Sequence, residues 1–196
     1  MLEYILNLDA EIFIFFNEFH SPLFDTIMYW VSHKFFWVPF YMFLVYLLYR
    51  HYGLKKAAIL TALILITFAL TNTLSVEAFK NVFQRLRPSH EPSLEGLVHF
   101  VDGYKGGNWG FVSSHASNVF GLATLIALFL SKRIKHIAFW IFLWATVVSY
   151  SRIYLGVHYP LDLICGGFLG ISIALLIASI AKKLKLISFL TLPQKG

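Results

Sequence analysis

Charge is scarce in this sequence. Asp, Glu, Lys and Arg together make up 13% of its 196 residues, against 58% hydrophobic residues. A water-soluble domain usually carries about 25% charged side chains, so this chain cannot clothe a water-facing surface. Cysteine is scarcer still: Cys165 stands alone, which excludes a disulfide-stapled secreted scaffold. The apolar content excludes disorder, and 12 glycines are too few for a collagen-like fibre. Acids are outnumbered, 10 against 16 Lys and Arg, for a net charge of +6. Binding of nucleic acid needs a soluble basic face, and here the cations fall between apolar runs, so no nucleic-acid partner is expected. What is abundant is aromatic: 20 Phe, 10 Tyr and 5 Trp. That suits a protein whose solvent is lipid, with rings at the headgroup level.

Several apolar stretches approach the roughly 20 residues that cross a bilayer as a helix. Ala57–Val76, Phe111–Ser131 and Leu163–Ala181 contain no Asp, Glu, Lys or Arg. Phe35–Tyr49 and Ile137–Ser151 are shorter and can lengthen into flanking residues. The runs lack the alternation of a membrane barrel, so each is read as a helix. The expected fold is all-α: a polytopic membrane helix bundle of five to six transmembrane helices, residues 1–196 forming a single integral-membrane domain. Residues 1–34 are open to two readings. Asp9, Glu11, Glu18 and Asp25 interrupt an apolar region that Pro22 divides, which favours two interfacial helices over a sixth span. No basic stretch precedes the apolar one, so no cleaved signal peptide is expected.

Three basic clusters, Arg50/Lys55/Lys56, Lys132/Arg133/Lys135 and Lys182/Lys183/Lys185, contain no acid. Five spans place all three on one face, which the positive-inside rule makes cytoplasmic. The long Pro88–Val112 segment and the Arg152–Asp162 turn then fall on the opposite face, and the unusual polar residues gather there.

Three polar clusters lie at span ends on that face. In the first, Lys80 and Arg87 sit nearly two helical turns apart, on one face of a helix ended by Pro88 and about 10 Å from each other; Arg85 falls off that face. Aligned cations invite an anion, although headgroup snorkelling accounts for them equally well. In the second, Ser113-Ser114-His115 opens a helix, where free N–H groups and the dipole bind phosphate. A serine cap explains either serine without function; it does not explain His115. In the third, Ser151-Arg152 precedes His158 and Asp162, with Pro160 as the first residue of the last helix. Asp162 is close enough to His158 to accept a proton from one imidazole nitrogen and leave the other free as nucleophile or base. A structural His–Asp pair is the plain alternative. Together, Lys80, Arg87, Arg152 and two histidines suit a phosphate better than a divalent metal.

Lys80–Pro88, Ser113–His115 and Ser151–Asp162 resemble, in order and spacing, the three-part signature of the type 2 phosphatidic acid phosphatase family. The family's second motif usually reads Pro-Ser-Gly-His; this chain has Val112-Ser113-Ser114-His115. The resemblance implies that His158 attacks phosphorus to form a phosphohistidine and that Asp162 orients it. It implies that His115 protonates the leaving group and then activates water, and that Lys80, Arg87, Ser113, Ser114 and Arg152 hold the phosphoryl oxygens. No metal and no cofactor is implied. The implied activity is hydrolysis of a membrane lipid phosphate or diphosphate at the outer, periplasmic face of a bacterial inner membrane. Undecaprenyl diphosphate comes first, with phosphatidylglycerophosphate or lipid A as alternatives. A non-enzymatic anion transporter is the rival from another class; it has no need of a His–Asp pair. Oligomeric state is not legible. Elsewhere Cys165 reads as small apolar packing, Gly166 and Gly170 as a close helix contact, Glu77 as a partner for Lys80, and the Pro88–Val112 loop as a lid in which Asp102, Lys105 and Trp109 are candidate substrate contacts.

Overall fold

The computed structural model describes residues 1–190. All of its regular elements are helical: α1 (Leu2–Asn17), α2 (Pro22–Ser32), α3 (Val38–Tyr52), α4 (Leu54–Leu74), the short α5 (Asn81–Phe83), α6 (Ser114–Leu130), α7 (Ile137–Tyr154) and α8 (Pro160–Lys183). A π-helical turn, Ser75–Lys80, joins α4 to α5, so Leu54–Phe83 is one element. The five expected spans correspond to α3, α4, α6, α7 and α8. Leu54–Phe83, α7 and α8 are each long and apolar enough to cross a membrane. The pair Pro22–Ser32 and Lys34–Tyr52, bent by 68° at His33, makes a fourth crossing if taken as one span. At 17 residues α6 is short for a crossing, yet it is the centre of the bundle, packed on α4, α7 and α8.

Residues 1–34 form two helices, divided where Pro22 predicts. Ser21 caps α2 and Pro22 is its first residue. α1 packs on α7 and α8, and α2 packs on α7. The core runs through Leu60, Ala123, Ile126, Phe129, Ala145 and Ala174. The rings of Phe139, Trp140 and Phe168 point outward, as expected where lipid is the solvent. A second cluster, with Phe13, Ala116, Tyr159 and Leu163 at its heart, lies near the polar residues that end α5 and begin α6 and α8.

α6 and α8 approach closely because Gly166 and Gly170 face α6. A Cβ on Gly170 would lie 2.1 Å from the Ser117 carbonyl oxygen, and one on Gly166 would lie 2.6 Å from that of Ser113. The Gly-x-x-x-Gly step is thus internal packing, as the sequence suggests. One expectation fails. The helix does not run on from Lys80 to Arg87: it ends at Phe83, Gln84 turns left-handed at φ 46°, and the chain continues extended, Leu86 bridging to Trp109. Lys80 and Arg87 are therefore brought together by a turn and a strand-like segment, and not by sharing a helical face.

Candidate active site

The third cluster is the best defined. α8 starts at Pro160, as its sequence requires, so His158 lies in the preceding turn and Asp162 in the first helical turn. Both are buried, at 1% and 0% exposure. Asp162 Oδ2 accepts from His158 Nδ1 at 3.2 Å and from the Tyr159 N–H at 3.1 Å. A carboxylate only accepts, so the imidazole proton sits on Nδ1 and Nε2 keeps its lone pair. Burial, followed by the positive charges of Arg87, Arg152 and Lys80, holds the His158 imidazole well below its usual range. His158 is thus a neutral base with one nitrogen oriented and the other available.

The second cluster sits across from it. Ser113 is the N-cap of α6, its hydroxyl accepting from the Ala116 N–H at 3.4 Å; its own N–H donates to the Asp162 carbonyl at 3.0 Å. That bond ties the start of α6 to the start of α8. Ser114 and His115 follow in the first turn, where backbone N–H groups have no intrahelical acceptor. His115 lies within electrostatic reach of Arg152, His158, Arg87 and Lys80.

The cations surround this point. Lys80 donates to the Ser114 hydroxyl at 2.9 Å, and that hydroxyl also shares a 2.6 Å hydrogen bond with Ser75. Glu77 is not its partner: it accepts from Asn81 at 3.0 Å. Ser114, standing where the family usually has glycine, thus holds the lysine in place. Arg87 is 8% exposed and donates from Nε to the Trp109 carbonyl at 3.2 Å. Its guanidinium passes so close to Gly106 that a Cβ there would lie 2.2 Å from Nη1, at a φ of +69° that also favours glycine. The Pro88–Val112 loop therefore packs on Arg87 and aims it. Trp109 contributes its carbonyl to this, and Lys105 accepts from Ser89 through its carbonyl at 2.7 Å. Arg152, 3% exposed, donates to the Ser32 hydroxyl and, at 3.2 Å, to Tyr104. Its Nε is buried and has no hydrogen-bond partner among the described residues. Burial pushes the Tyr104 phenol up, but Arg152 and Arg87 outweigh it and the net displacement is downward. A cavity of about 270 Å³ opens on this group, lined by Ser32, His33, Lys34, Tyr104, His115 and Arg152.

The eight residues to which the resemblance gives a role are thus placed at the junction of α5, α6 and α8 with the end of α7. Several partners were not foreseen. Arg85 pairs with Asp162 and Asp9, Ser32 and Tyr104 hold Arg152, and Ser75 bonds the Ser114 hydroxyl that accepts from Lys80. Asp9 did carry a signal: an acid inside an apolar run needs a partner.

Comparisons with known proteins give the family and the fold. The PAP2 superfamily model matches residues 56–186. A lipid A 4'-phosphatase of Bacteroides thetaiotaomicron is 38% identical over 172 residues, 87% of this chain and 75% of that protein. Its counterpart in Porphyromonas gingivalis is 35% identical, over 87% of this chain and 71% of that protein. Among solved structures, Aquifex aeolicus LpxE superposes with a TM-score of 0.63 at 24% identity, covering 88% of this chain and 95% of its own. A PAP2 type phosphatidylglycerolphosphate phosphatase of Bacillus subtilis superposes with a TM-score of 0.70 at 23% identity, covering 92% and 87%; at these identities the likeness is one of fold. With a family model over most of its length and two relatives above 30% identity, the chain belongs to the PAP2 superfamily of phosphatases.

Proposed function

We propose that the protein hydrolyses a phosphate monoester of a lipid A-type acylated disaccharide, with His158 as nucleophile. The observation that carries the chemistry is the His158–Asp162 pair set among Lys80, Arg87 and Arg152 at the start of α6. The substrate class rests on the two lipid A 4'-phosphatases to which the chain is 38% and 35% identical over 172 residues.

The site supports a two-step displacement. His158 Nε2 attacks phosphorus while the bond to the sugar oxygen breaks, giving a phosphohistidine. His115 delivers its proton to the departing alkoxide, and the negative charge of the bound phosphate favours the protonated imidazole beforehand. In the second step His115 takes a proton from water, which attacks phosphorus; the P–N bond breaks and inorganic phosphate leaves. Lys80, Arg87, Arg152, the Ser113 and Ser114 hydroxyls and the first N–H groups of α6 stabilise the equatorial oxygens. Ser113 has least to offer, because its hydroxyl caps the helix and its N–H is bonded to Asp162.

The test is phosphate release in detergent from lipid A, phosphatidylglycerophosphate and undecaprenyl diphosphate, presented separately. Fastest turnover of lipid A is expected; a clear preference for undecaprenyl diphosphate would replace the substrate and keep the mechanism. The acid-free basic clusters support an active site facing the periplasm. In a Cys165→Ala background, a cysteine at Lys105 should react with a membrane-impermeant thiol reagent in intact cells, and one at Lys183 should not. The reverse labelling would put the site in the cytoplasm.

A further inference from the structure

We propose that Arg85 and Asp9 are positioning residues: Arg85 keeps Asp162 a carboxylate, so that His158 holds the nucleophilic tautomer, and Asp9 holds Arg85 there. The inference rests on His158 as the nucleophile. Asp162 has no exposure to water, and burial without a counter-charge favours the protonated acid. A protonated Asp162 would donate to Nδ1 and leave the proton on Nε2. That tautomer has no lone pair to attack with. Something must hold the charge.

Arg85 is the group in contact. Its Nη1 donates to Asp162 Oδ1 at 3.1 Å, leaving Oδ2 for His158. The other fork, Nη2, donates to Asp9 Oδ2 at 2.7 Å. Asp9 Oδ1 in turn accepts from the Leu161 N–H at 2.8 Å, so Asp9 grips both Arg85 and the first turn of α8. The guanidinium carbon lies over the Tyr159 ring, 4.0 Å from its centroid, and Phe13 packs edge-on against that ring at 5.5 Å. Two residues of α1 thus secure the arginine that faces Asp162. Asp9 lies outside the segment matched by the family model, residues 56–186. Helix α1 is therefore part of the catalytic apparatus, although it contributes no group that touches phosphate.

Lysine cannot replace the fork, because a single ammonium does not span two carboxylates with the same planar geometry. Four purified proteins test this: wild type, Arg85→Gln, Arg85→Lys and Asp9→Asn, each assayed with whichever lipid of the panel wild type turns over fastest. Arg85→Gln should lower kcat by ~10²-fold or more with KM within about threefold, since a wrong tautomer in a His–Asp pair removes most of the rate. Arg85→Lys should recover part of that loss, and Asp9→Asn should lower kcat by roughly tenfold with KM unchanged. A second readout does not depend on turnover. Nitrogen-15 spectra of the imidazoles, with the His158 signals assigned by their loss in His158→Gln, should show the proton on Nδ1 in wild type and on Nε2 in Arg85→Gln. Wild-type kcat in a folded Arg85→Gln, a loss confined to KM, or an unchanged His158 tautomer would overturn the proposal. If His158→Gln turned over normally, the nucleophile assignment would fail instead, and the spectra would still decide the role of Arg85. Should Arg85→Gln not fold, Asp9→Asn and Arg85→Lys carry both readouts.

Discussion

The two ends of the bundle use the same residue types in opposite ways. At one end, Arg50, Lys55, Lys56, Lys132, Lys135, Lys182, Lys183 and Lys185 are exposed, with no Asp or Glu nearby in sequence. Where their contacts are visible they are soft, as for Lys56 over the Phe189 ring. At the other end, Lys80, Arg85, Arg87 and Arg152 are partly or wholly buried, and each has a named oxygen partner. An exposed cation near a membrane costs little and acts through summed charge. A buried one incurs several kcal/mol of desolvation on the order-of-magnitude scale for ions in proteins, and its retention asks for a reason. The lesson is that charge count marks topology, whereas burial with fixed partners marks chemistry.

Substitutions sharpen this contrast. His158→Ala should abolish turnover in a protein that still folds, as no neighbouring group can replace Nε2; phosphate release near wild-type rate would remove His158 from the mechanism. Arg152→Ala and Arg87→Ala should each cost ~10²–10³-fold in kcat/KM, the usual loss for one preorganised donor to a developing charge. Lys132→Gln and Lys182→Gln at the opposite end should leave kcat/KM within about twofold, as is usual for substitutions away from such features. Equal losses at both ends would erase the distinction.

His115→Ala discriminates between substrates. A sugar alkoxide is a poor leaving group and needs its proton, whereas a lipid monophosphate leaving from a diphosphate does not. Phosphoenzyme formation from a phosphomonoester should therefore fall at least ~10²-fold, while formation from a diphosphate should be nearly unaffected. Rapid-quench measurement of the labelled enzyme checks this.

A smaller effect follows for stability. The folded His158 stays neutral where an unfolded histidine, with a pKa near 6.5, takes up a proton. The unfolded state then binds more protons, so stability is full above about pH 6.5 and declines as pH falls below it. His158→Gln should flatten that decline, measured as the apparent Tm in detergent between about pH 8 and 5. The smallest effect expected within the site is that of Ser114→Gly. It restores the family's usual residue and frees Lys80 from its 2.9 Å partner, and a severalfold rise in KM is expected.

Much of this was legible in the sequence. The spacing of His158 and Asp162 around Pro160 specifies a pair at a helix start, because Pro160 sets where the helix begins. The charge-free runs locate the buried helices. The illegible part is non-local. Helical spacing puts Arg85 off the face shared by Lys80 and Arg87, and only the left-handed turn at Gln84 redirects it toward Asp162. Asp9 meets Leu161 across 152 positions of sequence, a contact no periodicity contains. Ser32 and Tyr104 reach Arg152 from a helix break and a loop, where side-chain direction is set by tertiary packing.

Trapping the covalent intermediate tests the nucleophile most directly. Wild type, quenched within milliseconds of mixing with phosphorus-32-labelled substrate, should carry an acid-labile, alkali-stable label on the peptide containing His158, and His158→Ala should carry none. A phosphoryl group found on another residue, or turnover by His158→Ala without any labelled enzyme, would contradict the assignment of His158 as the group that attacks phosphorus.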